Sequence, residues 1–254
     1  MDIIIDVSKW NGEMNFETAA NAGAKGAIIR AGSINYVSGV PYTDYRFEKN
    51  ADDAPKHLDH VGFYWFWRAN QDPRLQARYF SNLIEHKTWD IPPVADIEKS
   101  NGVGPLTLTN NFKIFLDEVE SRTDTRPMIY TRASYWNIAT TKPNWALNYK
   151  LWCARWVSVT PSLPPVMKTG PWVDGRFKPL PWANEGKDNW DYWQFWADGN
   201  KQSQKYGASS SGDPDMDISY RRIPFDDVPP VVDTVEINRE VALSMYEELK
   251  KSLS

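Results

Sequence analysis

The stretch with the clearest chemical potential is Pro92-Pro93-Val94-Ala95-Asp96-Ile97-Glu98, an apolar run ending in two carboxylates one residue apart. Side chains alternate across a strand, so Asp96 and Glu98 would project from one face with Val94 beneath them. Two acids held that close in a partly buried site cannot both ionise freely, and one is pushed toward keeping its proton. Such a pair supplies general acid and general base chemistry near neutral pH. Acidic pairs at this spacing also occur on exposed strands and in structural ion pairs, so the surroundings must decide.

The surroundings read as a series of strands. Residues 3–8 form an apolar strand carrying Asp6, followed by a turn at Lys9-Trp10-Asn11-Gly12. Further strands are expected at 26–32, 61–67, 94–98, 127–131, 151–156, 192–196 and 216–220. Helices are expected at 16–24, capped by Asn15, at 45–56, at 73–85, opened by Asp72-Pro73, and at 107–122, with Thr109 as an alternative cap. In the last of these, Leu108, Phe112, Phe115, Leu116 and Val119 recur at helical spacing. Helix-length spacers between early strands argue for parallel strands joined by crossovers, and runs such as Ile3-Ile4-Ile5 suit a sheet covered on both faces. The expectation is an α/β fold, an irregular TIM-like (β/α) barrel of eight strands with fewer helices in its last third.

In such barrels, active sites form at the C-terminal ends of the strands. Asp6 closes the first strand, Asp96 and Glu98 the fourth, and Asp217 lies in the eighth, so four acids would converge on one mouth. Carboxylates buried without partners cost too much to be kept for packing alone.

Composition narrows the function class. The chain has 254 residues, a net charge of −4 and no basic block, so no nucleic-acid partner is expected. A single cysteine, Cys153, excludes an intrachain disulfide and sits in an apolar run, as a small core residue would. The three histidines, His57, His60 and His86, fall in polar stretches read as helix or loop and make no metal-ligand spacing, so neither a metal nor a cofactor is expected. No stretch is long enough to span a membrane, and the first six residues read as a strand rather than an export signal. Thirteen tryptophans are the outlier, because flat rings near acids suit stacking on sugar faces.

Residues 1–228 are read as a catalytic barrel domain and 229–254 as a linker and amphipathic helix. That helix, 235–253, carries Ile237, Val241, Met245 and Leu249 on one stripe, which would dock on the barrel or bind a partner. The Pro-, Gly- and Trp-rich stretch 160–190 is either a functional loop or a surface excursion.

These stretches together resemble the muramidases of glycoside hydrolase family 25, the lysozymes that cut peptidoglycan. The resemblance covers most of residues 2–220. It rests on Asp6-Val7-Ser8-Lys9-Trp10-Asn11-Gly12, Ile29-Arg30-Ala31, Gly62-Phe63-Tyr64-Trp65-Phe66, Asp96-Ile97-Glu98, Tyr130-Thr131, Leu151-Trp152-Cys153-Ala154, Trp193-Gln194 and Met216-Asp217-Ile218, in the family's order. It implies hydrolysis of the β-1,4 bond between N-acetylmuramic acid and N-acetylglucosamine. Glu98 would be the proton donor, and Asp96 would stabilise the transition state or orient the N-acetyl group. Asp6 and Asp217 would orient the sugar and tune the pair. Substrate contacts are expected from Arg30, Tyr64, Phe66, Tyr130, Trp152, Trp193 and Gln194, although Tyr64, Tyr130 and Trp152 would serve equally as barrel core. Two departures stand out: Trp65 replaces the family's usual histidine, putting subsite contacts in question, and the 160–190 loop is long.

The partner expected is bacterial peptidoglycan, met by a monomer. The chain would be cytoplasmic at birth and act on the cell wall after phage-type release or as part of a virion. The rival readings are a glycosidase for another N-acetylated glycan such as chitin, and a non-catalytic glycan-binding or structural barrel.

Overall fold

The computed structural model describes residues 2–156, 178–183, 190–196, 203–209 and 218–221. Nine strands form one sheet: β1 (Asp2–Val7), β2 (Ala24–Ile34), β3 (Pro41–Thr43), β4 (His60–Phe66), β5 (Val94–Asp96), β6 (Met128–Arg132), β7 (Leu151–Ala154), β8 (Tyr192–Trp196) and β9 (Ile218–Arg221). Strand β1 pairs with both β2 and β9, which closes the sheet into an eight-stranded barrel. Seven of the eight, β1, β2 and β4 to β8, run parallel. The closing strand β9 is antiparallel to both of its neighbours. Strand β3 is an appendage that folds back on β2 as a hairpin.

The helices are α1 (Phe16–Asn21), α2 (Phe47–Asp53), α3 (Pro73–Ile84), α4 (Pro105–Thr123) and α5 (Ala133–Ala139). Their starts follow from local chemistry. The Asn15 side chain accepts from the Thr18 amide at 2.9 Å to open α1. Asp72 Oδ1 accepts from the amides of Arg74 and Leu75 to open α3, with Pro73 at its first position. Helix α4 begins at Pro105, ahead of the expected start, and Thr109 is not its cap. Instead Thr109 Oγ1 donates to the Pro105 carbonyl at 2.7 Å, a bond made inside the helix. Helix α5 follows β6 with no intervening loop and has no side-chain cap, so the sequence carries no start signal for it. His60, expected in a helix or loop, opens β4 and lies 2.5 Å from Asp90 Oδ2.

Strand alternation divides the side chains into two layers. Ile4, Ile28, Tyr64, Val94, Met128, Tyr130, Trp152 and Tyr192 cluster inside the barrel. The intervening residues, among them Ile5, Ile29, Phe63, Trp65, Ala95, Ile129, Cys153 and Trp193, pack outward in the larger cluster. Phe80, Phe112, Phe115 and Trp136 from α3, α4 and α5 belong to that cluster as well. The hairpin requires close backbone approach at Gly32, where an added Cβ would lie 2.2 Å from the Tyr42 carbonyl oxygen.

Part of the 160–190 stretch is anchored. Trp182 is buried against Trp136, with ring centroids 4.9 Å apart, and its indole donates to the Tyr149 carbonyl at 3.2 Å. Trp172, Asp217 and the expected C-terminal helix lie outside the described residues.

Candidate active site at the barrel mouth

The inner rows end at a common mouth. Register sets Phe66 beside Asp96, Asp96 beside Tyr130, and Tyr130 beside Trp152. One level deeper, Arg30 lies beside Tyr64 and Tyr64 beside Val94. Strand β5 stops at Asp96, two residues short of the expected end. The chain beyond it stays in place because the Ile97 amide donates to the Tyr130 carbonyl at 3.0 Å, and Thr131 Oγ1 donates to the Ile97 carbonyl at 2.9 Å. Ile97 is fully buried in the outer layer, so its neighbours Asp96 and Glu98 fall on the inner side.

Asp96 is 4% exposed, and among the described residues its Oδ1 has no hydrogen-bond partner. Burial pushes its pKa well above the ordinary carboxylate range, the Glu98 charge adds to this, and Arg30 opposes it. Glu98 is half-buried and also raised by burial, against the Arg132 charge and a Tyr130 hydrogen bond.

A hydrogen-bonded chain leads away from this pair. Tyr130 Oη lies 2.7 Å from Gln194 Oε1, and the Trp156 indole donates to the same oxygen at 3.1 Å. Gln194 Nε2 donates to Asp6 Oδ2 at 3.4 Å. Asp6 is therefore tied to the Asp96–Glu98 side of the mouth through Gln194 and Tyr130. Arg30 is buried, its Cζ lies 5.2 Å from the Phe66 ring centroid, and its Nη2 donates to Tyr42 Oη at 3.4 Å.

Asp6, Arg30, Tyr64, Phe66, Asp96, Glu98, Tyr130 and Gln194 are thus brought together. Trp152 is inner core: at 1% exposure, packed edge-on to Tyr130 with centroids 4.6 Å apart, it has no face left for a sugar. Trp193 points the other way, into the outer layer beside Trp190 and Phe195, with its indole bonded to the Arg155 carbonyl. Its expected substrate contact is corrected by alternation, since it is Gln194 that faces inward. Trp65 is outward too, its indole donating to buried Gln76 at 3.2 Å, so the departure at this position does not touch the mouth.

Sequence reasoning missed Asp44, Arg68, Arg132 and Trp156. Buried Asp44 joins the strand ends, accepting from the Lys9 amide at 3.1 Å and the Arg46 amide at 3.0 Å. Its signal was its place in the polar loop after Tyr42. Arg68 and Arg132 lie just past or at the ends of β4 and β6, where mouth residues are to be sought.

The family model for glycosyl hydrolases family 25 matches residues 5–204. The chain belongs to that family. It is 28% identical over 208 residues to Lysozyme M1 of Streptomyces globisporus, covering 77% of this chain and 62% of that protein. It is 24% identical to the N,O-diacetylmuramidase of Arthroderma benhamiae, covering 81% of this chain and 79% of that one. Among solved structures, the bacterial lysozyme from Streptomyces coelicolor superposes with a TM-score of 0.63 at 26% identity, covering 87% of this chain and 92% of that one. The muramidase from Acremonium alcalophilum shares the fold, with a TM-score of 0.64 at 20% identity over 89% of this chain and 96% of that one. The chain spans 62% of the length of the first of these curated relatives, Lysozyme M1.

Proposed function

We propose that this family 25 chain is a muramidase, hydrolysing the β-1,4 bond between N-acetylmuramic acid and N-acetylglucosamine in bacterial peptidoglycan. The observation that carries the reading is the placing of buried Asp96 and half-buried Glu98 side by side at the barrel mouth, where burial favours the protonated form of each.

Glu98 is the proton donor. It is the more accessible of the two and protonates the glycosidic oxygen as the C1–O bond breaks, which spares the leaving group a full negative charge. Asp96 sits deeper, with one carboxylate oxygen uncommitted. In its ionised form it stabilises positive charge developing at C1, or it orients the substrate's N-acetyl group for attack on C1. Asp6, held by Gln194, and Arg30, stacked on Phe66, position the sugar. The Lysozyme M1 and N,O-diacetylmuramidase relatives favour peptidoglycan over other N-acetylated glycans.

The test is digestion of purified sacculi and of chitin oligomers, with mass identification of the sugar at each new reducing end. New N-acetylmuramic acid ends from sacculi support the reading. Cleavage of chitin alone, new N-acetylglucosamine ends from sacculi, or no cleavage of either reject it.

A further inference from the structure

The hairpin built by β2 and β3 stands at the mouth and carries rings that the core does not use. Tyr36 is 53% exposed, Tyr42 37% and Tyr45 70%, and Trp10, on the turn after β1, is 61% exposed. Isolated exposed rings are common and need no explanation, but each of these four lies against a basic side chain. Lys9 Nζ lies 4.8 Å from the Trp10 ring centroid. Arg46 Cζ lies 5.5 Å from the Tyr45 centroid, and the Tyr45 hydroxyl donates to the Lys9 carbonyl at 3.4 Å. Tyr42 is bonded to Arg30 at 3.4 Å. Arg68 Cζ lies 5.5 Å from the Tyr36 centroid and 4.5 Å from that of Phe66. The Tyr36 carbonyl accepts from Asn70 Nδ2 and Gln71 Nε2, each at 2.8 Å, which ties the hairpin tip to the segment after β4.

The cations between the rings lack carboxylate partners, as do Lys99, Arg132 and Lys142 among the described residues. Lys49, Lys56, Lys87, Arg74, Arg122 and Arg126, by contrast, pair with carboxylates. Among the described residues, Lys9, Arg30, Arg46 and Arg68 make no such ion pair. Among the described residues, the buried Nε atoms of Arg30, Arg46 and Arg68 have no hydrogen-bond partner. The row is continuous with the site, because Arg30 touches both Tyr42 and Phe66, and Phe66 is in register with Asp96.

We propose that Trp10, Tyr45, Tyr42 and Tyr36, with Lys9, Arg46 and Arg68 between them, form an extended glycan-binding wall that holds sugar units beyond the bond being cut. Pinned rings offer flat apolar faces at little entropic cost, which is what sugar faces require. Unpaired cations beside the rings suit a chain whose alternate units carry carboxylates, as the lactyl-linked peptides of peptidoglycan do. This occupant rests on the muramidase reading and on the continuity of the row with the active site through Arg30 and Phe66.

The experiment compares KM for long glycan strands with KM for short oligosaccharides cut from them, in the wild type and in Tyr36→Ser/Tyr45→Ser. Circular dichroism and thermal melting confirm folding, and each single variant serves if the double variant does not fold. The expected result is a lower KM for long strands in the wild type, and a loss of that preference by about tenfold in the double variant. Equal KM values in the wild type, or a preference unaltered by the substitutions, overturn the wall and leave the muramidase reading standing. If the wild type cleaves neither substrate, the muramidase reading fails instead. Calorimetric titration with long strands then decides the wall: binding weakened in the variant supports it, and absent or unaltered binding overturns it.

Discussion

Tyr130 Oη and Gln194 Oε1 lie 2.7 Å apart, and the direction of that bond bears on which acid of the pair carries a proton. Trp156 donates to the same oxygen at 3.1 Å. An indole N–H can only donate, so it fixes this atom as the amide oxygen and turns the amide nitrogen toward Asp6. The Tyr130 phenol has one hydrogen, and against an oxygen it must be the donor. Its bond to Glu98 draws on that same hydrogen and, where the phenol gives it to the carboxylate, lowers the Glu98 pKa against the effect of burial. Burial raises both acids, and the Tyr130 bond opposes that rise at Glu98 while the Glu98 charge adds to it at Asp96.

Tyr130→Phe removes the hydroxyl whose bond lowers the Glu98 pKa, so Glu98 keeps its proton to higher pH. The activity limb reporting loss of that proton should move to higher pH by roughly half to one unit, as expected for one net hydrogen bond. The pH dependence of kcat/KM on soluble glycan strands checks this. A purely structural role for Tyr130 would lower the rate at every pH without moving the limb.

Glu98→Gln should reduce turbidity clearance of cell walls by roughly 10²- to 10⁴-fold, the range supplied by general acid catalysis, while the fold survives. Asp96→Asn should be nearly as damaging, and Asp6→Asn less so, because Asp6 acts through Gln194. Near-full clearance by the Glu98 variant would remove it from the proton-donor role.

Asp96→Asn should also stabilise the protein near neutral pH. Burial, then the Glu98 charge, raises the folded-state pKa of Asp96 above its unfolded value of about 3.9. The folded state therefore holds the proton more tightly. Stability from this group is fully present below the unfolded pKa and is lost as pH rises through the folded one. The difference in melting temperature between variant and wild type should be small near pH 4 and grow as pH increases. A difference that shrinks with rising pH would mean that Arg30 and Arg68, rather than burial, dominate the site.

The layer to which a residue belongs was the part of this site least legible in the sequence. The barrel, its strand order and the convergence of Asp6, Asp96 and Glu98 follow from strand spacing and from alternation around Asp96-Ile97-Glu98. Alternation applied strictly would also have turned Trp193 outward and Gln194 inward. Aromatic chemistry drew Trp193 and Trp152 toward the sugar, and packing claimed both. The rings that stay exposed, Tyr36, Tyr42 and Tyr45, sit in a segment whose composition reads as a polar loop. Only the hairpin pairing of β3 with β2 brings them to the mouth, and that pairing is a tertiary fact. The antiparallel β9 was hidden for a similar reason, since strand direction near the end of the chain depends on connections rather than on strand composition.

Cys153 should resist thiol reagents in the native protein. It is 1% exposed in the outer layer of β7, and burial pushes its thiol up to about 12, so almost no thiolate exists at neutral pH. Colorimetric titration should find no reactive thiol in buffer and one per chain in denaturant. Rapid native reaction would mean that β7 opens locally.

Trp65→Ala separates packing from chemistry on β4. The ring is fully buried between the barrel and α3, near Tyr79 and Phe80 at centroid distances of 5.7 and 6.0 Å, with its indole bonded to Gln76. Truncation should cost about 3–5 kcal/mol, the range for a large buried aromatic. Part of that cost would come from leaving a Gln76 oxygen short of one donor, although the Arg68 amide still bonds it at 2.9 Å. Because the side chain faces away from Asp96 and Glu98, kcat/KM of the fraction that remains folded should stay within a few-fold of wild type. Chemical denaturation paired with activity per folded molecule makes the comparison. A variant of unchanged stability with activity lost at the level of Glu98→Gln would place Trp65 at the mouth, and would show that the strand alternation assigning every other inner residue is out of register.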